Sequence, residues 1–330
     1  MRIKWWGKAA RKGLVGVAVG DGLSVAVIDR SRGPRPRLAE VRWLDRPAGQ
    51  EDRDLKHDLQ GLRLKKARTA TLMAPSDYQL LLVEAPRVEP SELRAAVRWR
   101  IKDLIDYHID DAVIDVFEIP GQRQNAQGQV MMYAVVAKQS AVRGRIEALE
   151  RGELKLEVID IPEMALRNIA AQAPEDQTGC VLLQLGEHNG LITVTRQQNL
   201  FLARRIDVGA AKLREQPNAD KPLAADADPY GDPLDMVLDK LIDGIVLEIQ
   251  RSIDYYDRHF GQPTLAGVLL APTGPGLSGI ESRLKRQLGL PVRRLDLNEM
   301  LDCARPIDEA EQARCLMAIG TALRHEETLL

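Results

Sequence analysis

Five histidines and three cysteines are the first candidates for metal or nucleophilic chemistry in this chain, and their spacing supports neither. His57, His108, His188, His259 and His325 form no metal-ligand pattern. Cys180, Cys303 and Cys315 are odd in number, far apart and set among apolar residues, which fits buried thiols in a reducing compartment. What remains is a pair of acid-bearing glycine turns. Gly20-Asp21-Gly22 separates the apolar runs 15–19 and 23–29, and Gly186-Glu187-His188-Asn189-Gly190 separates 180–185 from 191–195. Apolar runs paired about glycine turns predict β-hairpins. A third strand follows each, at 38–43 and 200–206. One sheet opening written twice predicts two similar lobes.

The chain has 330 residues, 28% charged and 45% hydrophobic, which suits two folded lobes with separate cores. A net charge of -2 gives no reason to expect nucleic acid as a partner. No apolar run reaches the ~18 residues of a membrane-spanning helix, and the segment 1–13 is too short and polar for a signal peptide. That segment carries Arg2, Lys4, Lys8, Arg11, Lys12 and the pair Trp5-Trp6. Two readings compete for it: a membrane-proximal leader whose cations and tryptophans meet an anionic surface, or a leader whose tryptophans cover a sheet edge.

Between the hairpins the rhythm changes. Strands are predicted at 69–73 and 78–83, then a helix opened by Pro90-Ser91-Glu92, capped by Ser91 and running to Asp110-Asp111. Leu93, Val97, Ile101, Leu104 and Ile105 share one face of it. Strands at 112–117 and 130–136, joined by a polar loop over 121–128, precede a helix over 139–150. This is a small α+β unit inserted into the first lobe. A strand at 155–160 returns to that lobe, Pro162-Glu163 starts the linking helix, and 173–177 marks the crossing. The second lobe contains a mobile loop over 216–233 and a long helix from 234 to Gly261, with Leu234, Val237, Leu238, Leu241, Ile245, Leu247, Ile249 and Ile253 on its apolar side. A strand at 267–271, a turn at 272–276, a helix with Ile280, Leu284 and Leu288, a strand at 292–295 and a last helix over 307–325 complete the chain. The expected division is 1–177 with an insertion over about 76–150, completed by 307–330, and 178–306.

Taken in order, these elements resemble the actin-like (FtsA-like) ATPase fold, an α/β fold of two ribonuclease-H-like lobes. The stretch from Ser91-Glu92-Leu93-Arg94 to Trp99, and from Ile105-Asp106-Tyr107-His108 to Asp115, resembles the PilM proteins of type IV pilus assembly. It is closer still to their MshI relatives of the mannose-sensitive haemagglutinin (MSHA) pilus. Glu248-Ile249-Gln250-Arg251 to Tyr256 and Leu288-Gly289-Leu290-Pro291 agree. The resemblance covers nearly the whole chain, and the order of the motifs carries it.

Competent members of this fold hold a nucleotide through an Asp and small residues in each turn and glycines at the adenosine. Carboxylates hold hydrated magnesium, and small residues let backbone N–H groups reach phosphate. Here Ala18 stands where the first Asp belongs, Gly20 is kept, and Asp21 and Gly22 follow. Gln184 takes the second Asp position, Gly186 is kept, and Glu187, His188 and Asn189 replace the small residues. Pro272, Thr273, Gly274 and Pro275 replace the adenosine glycines. A carboxylate about 4 Å from a phosphate charge costs roughly 4 kcal/mol at an effective dielectric near 20, about three decades of affinity. Shifting the first turn by three residues puts Asp21 on the Asp position but Leu23 where glycine is needed. Neither cofactor nor ATPase activity is expected.

The resemblance therefore implies a bacterial cytoplasmic scaffold, peripheral at the inner membrane and working with other pilus platform proteins. It would dock the short cytoplasmic tail of a PilN-like single-pass protein in a groove between the first lobe and its insertion. The 91–109 helix is expected to wall that groove, with Arg94, Arg98, Ile101 and Ile105 as contacts. The alternative is an ATP-switched assembly protein drawing magnesium ligands from Asp21, Asp160 or Glu163.

Overall fold

The computed structural model describes residues 13–30, 33, 35–46, 55–58, 64, 67–122, 130–222, 235–260 and 264–325. Trp5 and Trp6, most of the 121–128 loop and the 216–233 loop beyond Pro222 lie outside them. The chain divides into two compact units, Met1–Ala165 with Met317–Leu330, and Leu166–Leu316. The sequence places these crossings at 177/178 and 306/307; in the structure both fall inside helices.

The first unit contains strands β1 (Gly13–Val19), β2 (Gly22–Asp29), β3 (Arg37–Asp45), β4 (Arg68–Leu72), β5 (Tyr78–Glu84), β6 (Ala112–Glu118), β7 (Met131–Lys138) and β8 (Lys155–Asp160). Five of them form the main sheet in the order β3-β2-β1-β4-β8. The first three are antiparallel, and β4 and β8 run parallel to β1. Val15, Val17, Leu23 and Val25 alternate with Gly16, Ser24 and Ala26, buried on the sheet's other face, and enter a core with Leu64, Ala67, Leu149 and Leu154.

The insertion is a second, antiparallel sheet in the order β5-β7-β6. Its alternation divides two cores. Val83, Val116, Met132, Ala134 and Val136 face helix α1 (Leu93–Ile101), which buries Val97 and Ile101 among them. Leu80, Val135 and Ala137 face the other way, toward helix α2 (Gln139–Arg151) and its Ala141 and Val142.

Helix α1 is shorter than the sequence pattern suggests. Glu92, not Ser91, is its N-cap, with no side-chain cap bond. The helix closes at Ile101, whose carbonyl accepts from Leu104 N at 2.9 Å. Beyond it Ile105, Tyr107 and Ile109 pack against the α1-side core at every second residue. A continued helix cannot make that period; 105–107 run as bends into the short 3₁₀ helix Ile109–Asp111. Leu104, placed by its spacing on the buried face, is exposed.

The second unit repeats the first sheet. Strands β9 (Cys180–Leu185), β10 (Gly190–Arg196), β11 (Asn199–Ile206), β12 (Val268–Leu270) and β13 (Val292–Arg294) lie in the order β11-β10-β9-β12-β13. Again the first three are antiparallel, and the two late strands run parallel to the first. Two sheets of one order and one sense are the duplicated layout of the actin-like ATPase fold.

Helix α3 (Pro162–Ala170) leads out of the first unit, and α4 (Met236–Phe260) and α5 (Ile280–Leu288) belong to the second. Leu238, Ile242, Ile245, Ile249 and Tyr256 of α4 are buried; Val237 and Leu247, expected on that side, are exposed. Phe201 meets Tyr256 and Phe260 edge to face at 5.4 and 5.2 Å. Burial pushes the Cys180 and Cys315 thiols up to about 12.

Helix α6 (Glu309–Ala322) starts in the second unit and ends in the first. A Cβ on Gly16 of β1 would lie 2.0 Å from the Ala318 carbonyl oxygen, and one on Gly320 would lie 2.4 Å from that of Ala165. Gly16→Ala should therefore destabilise the protein by about 3 kcal/mol, read as a shifted urea midpoint. In the second unit Arg293 holds Glu175 by two hydrogen bonds of 2.5 and 2.7 Å. The Arg293 bond comes first in holding the Glu175 carboxyl below its ordinary 4.5. Its contribution to stability is complete above that value and is lost as pH falls through the lower folded one. Arg293→Gln should flatten the acid limb of a Tm-against-pH curve.

Candidate functional site

In the first unit the β1–β2 turn is bare. Gly20 and Asp21 are exposed, and Gly20 N donates to Gly22 O at 2.9 Å. Ala18 is half-buried, and its carbonyl accepts from Ser24 Oγ at 3.4 Å. A Cβ on Gly20 would meet nothing, whereas one on Gly22 would fall 2.2 Å from the Trp43 ring. Gly22 therefore makes room for a tryptophan of β3.

In the second unit the β9–β10 turn is clamped by a short helix, Ala210–Arg214, that the sequence reading missed. Ala210 N donates to Gly186 O at 2.7 Å and Ala211 N to Glu187 O at 3.0 Å. Gly209 permits the approach, because its Cβ would lie 2.4 Å from His188 C. Arg214 then donates to both Glu187 carboxylate oxygens, at 2.6 and 2.5 Å. Its side chain also passes 3.2 Å from the Cβ position of Gly276, a glycine at φ +86°. Arg214 thus ties the Gly186 turn to the turn after β12.

That late turn is also occupied by protein groups. Thr273 is buried, and its hydroxyl accepts from Arg294 Nη1 at 2.7 Å. Arg294 further donates to Leu277 O at 3.0 Å and pairs with Glu309 at 2.5 Å. Gly274 has φ +74° and Pro272 offers no N–H. Gln184 is half-buried, with Nε2 3.4 Å from the Gly186 Cβ position, and His188 and Asn189 are exposed. Arg214 thus holds the second turn and Arg294 the late turn.

The acids named as alternative magnesium ligands belong to the first unit, and Asp160 and Glu163 have partners there. Asp160 ends β8; its Oδ1 accepts from Ile161 N at 2.9 Å, and its Oδ2 pairs with Arg324 at 2.5 Å. Glu163 accepts the Tyr78 hydroxyl at 2.5 Å. Asp21 is solvent-exposed. Among the described residues no group of three or more His, Cys, Asp or Glu side chains could hold a metal ion.

A different feature of the first unit has the form of a binding site. Strand β8 closes one edge of the main sheet, and among the described residues it pairs with β4 alone. Between Thr69 and Ala70 the ladder skips Glu157, which bulges the edge strand. Helix α2 reverses into β8 through Gly152 and Glu153, the latter at φ +59°. Leu154 N donates to Leu149 O at 3.2 Å across that reversal. Helix and strand thus run back alongside each other. The space between them is a cavity of about 410 Å³, lined by Ile146 and Glu150 of α2, by Leu154 and by 155–159 of β8. Leu156, Val158 and Ile159 give it an apolar floor, and Glu150, Lys155 and Glu157 are exposed at its rim.

The residues expected to wall a groove lie elsewhere. Helix α1 packs on the face of the inserted sheet opposite α2. Ile101 is fully buried there and Ile105 packs against the same core. Arg94 pairs with Asp115 at 3.0 Å and Arg98 with Asp110 at 2.5 Å, all largely in solvent. None of the four lines the cavity.

The family described as "Type IV pilus assembly protein PilM" matches residues 82–326. Among solved structures, a PilM-PilN type IV pilus biogenesis complex is similar over 95% of this chain and 98% of that one, with 21% identity and a TM-score of 0.70. The cytoplasmic domain of EpsL, an inner-membrane component of the type II secretion system of Vibrio cholerae, is similar over 62% of this chain and 74% of that one (15% identity, TM-score 0.42). A Bacteroides thetaiotaomicron protein of actin-like ATPase fold is similar over 88% and 93% (9% identity, TM-score 0.48). Among curated proteins, comparison finds no match.

Because Asp160 is buried between a backbone N–H and a guanidinium, Asp160→Ala should destabilise the protein by about 2 kcal/mol. Asp160→Asn, which keeps the bond to Ile161 N, should be milder. Chemical denaturation of the two variants reads the difference.

Proposed function

Since the chain belongs to the PilM family of type IV pilus assembly proteins, we propose that it is a non-catalytic scaffold of the pilus assembly platform, holding the cytoplasmic tail of a PilN-like membrane protein in the groove between α2 and β8. One observation carries this reading: an edge strand whose outer side is unpaired among the described residues stands beside an apolar cavity of about 410 Å³. An extended peptide gains backbone hydrogen bonds from such an edge and places alternate side chains in such a pocket. The volume lies within the roughly 300–1,000 Å³ usual for ligand sites. A PilN partner is named in the similar solved complex. Among the described residues no helix is long and apolar enough to cross a membrane, so placement at the inner membrane would come through the partner. The 91–115 motif order favours the MSHA pilus and an MshI-type role.

The nucleotide site is read as degenerate. Ala18 and Gln184 lack the carboxylates, and the acids Glu187 of the second unit and Asp160 and Glu163 of the first are engaged by Arg214, Arg324 and Tyr78. An arginine beside a carboxylate supplies the positive charge that magnesium would otherwise bring. Fluorescence titration with a synthetic peptide of the PilN-like tail should show saturable binding, weakened more than about tenfold by Ile146→Glu, which buries a charge in the pocket. Arg94→Ala with Arg98→Ala, on the other face, should leave it unchanged. No binding by the wild type, or equal binding by Ile146→Glu, overturns the docking reading. Calorimetry with ATP and magnesium should give no heat of binding; a micromolar Kd would instead favour a nucleotide-switched assembly protein.

A further inference from the structure

A buried polar contact sits inside the apolar junction where the insertion joins the body of the first unit. The junction core is Met73, Tyr78, Ala137 and Ile161, with Ile159, Met164, Ala141 and Val142 packed against it. Tyr78 is the first residue of β5, on the insertion; Glu163 lies in the first turn of α3, on the body. Both are at least 95% buried, and the Tyr78 hydroxyl donates to Glu163 Oε2 at 2.5 Å.

The same junction runs into the groove. Ile159 belongs to its core and also lines the cavity. Ala141 and Val142 anchor one end of α2 there, and Ile146 and Glu150 line the cavity one and two turns further along. Two connections join insertion to body. The first is braced by Met73 N donating to Asp160 O at 2.8 Å and Asp77 N to Ala74 O at 2.9 Å, and the second by the Glu153 reversal. Apolar contacts at such a seam tolerate sliding, whereas a buried hydrogen bond has one good geometry.

We infer that Tyr78 and Glu163 are positioning residues for the groove: their hydrogen bond fixes the insertion against the body and so sets the spacing between α2 and β8. The effect on a peptide rests on the docking reading above; the effect on the spacing does not.

The test separates the two. Spin labels on Arg143→Cys of α2 and Arg42→Cys of β3, both exposed, report the angle of insertion to body. They are placed in the full chain carrying Cys303→Ser, since Cys180 and Cys315 are buried thiols that stay protonated. The wild type should give a single narrow distance maximum. Tyr78→Phe and Glu163→Ala should lose it, while Glu163→Gln, whose amide oxygen still accepts the hydroxyl, should retain it. Affinity for the synthetic tail should fall about tenfold in the first two variants and recover in the third. A folded Tyr78→Phe with the wild-type distance distribution overturns the inference, even if its Tm falls. Loss of the narrow maximum in a protein whose wild type binds no tail supports the positioning role and removes only the docking reading.

Discussion

At Gly16 and again at Gly320, the first unit brings two stretches of backbone so close that not even a methyl group fits between them. These approaches seat the end of α6 on β1 and on the start of α3. Because α3 follows directly from β8, the same seating helps set where β8 ends. Arg324, just beyond α6, then reaches Asp160 on that strand. An edge strand with one partner is a weakly held element. Here it is secured at its far end by a packed helix and an ion pair, leaving its middle, Leu156 to Ile159, as a firm rail beside α2.

In both halves of the molecule the polar groups at and near the glycine turns are held by arginines. In the second unit Arg214 and Arg294 answer Glu187 and Thr273; in the first, Arg324 answers Asp160. Each guanidinium supplies the positive charge and donors that a bound ion would otherwise bring. The open edge, by contrast, keeps backbone groups that another chain can satisfy.

Much of this was legible in the sequence because it is local. Glycine turns between alternating apolar runs gave both hairpins, and β8 and β9 match the runs 155–160 and 180–185. The repeated sheet order follows from reading the same opening twice. What escaped depends on distant partners. Helix α1 looked longer because Leu104 and Ile105 keep its spacing, yet the core draws in Ile105, Tyr107 and Ile109 at a period of two. The resemblance implies a groove walled by the 91–109 helix; that α1 and α2 cover opposite faces of the inserted sheet is decided by strand pairing, and pairing is tertiary. The clamp on the Gly186 turn was invisible for a similar reason: Ala210–Arg214 is too short to carry a helical pattern, and its work is done by an arginine far along the chain from Glu187.

The split of α6 between the units bears on how the protein is made. The strand that Gly16 occupies is synthesised before the second unit, and most of the helix stretch that must lie against it after that unit. During translation the emerging main sheet therefore waits with one face uncovered while the entire second unit is built. A nascent chain in that condition depends on being shielded from its neighbours, and a ribosome stalled after β13 would release a product whose second sheet has all its strands but whose first still lacks its cover.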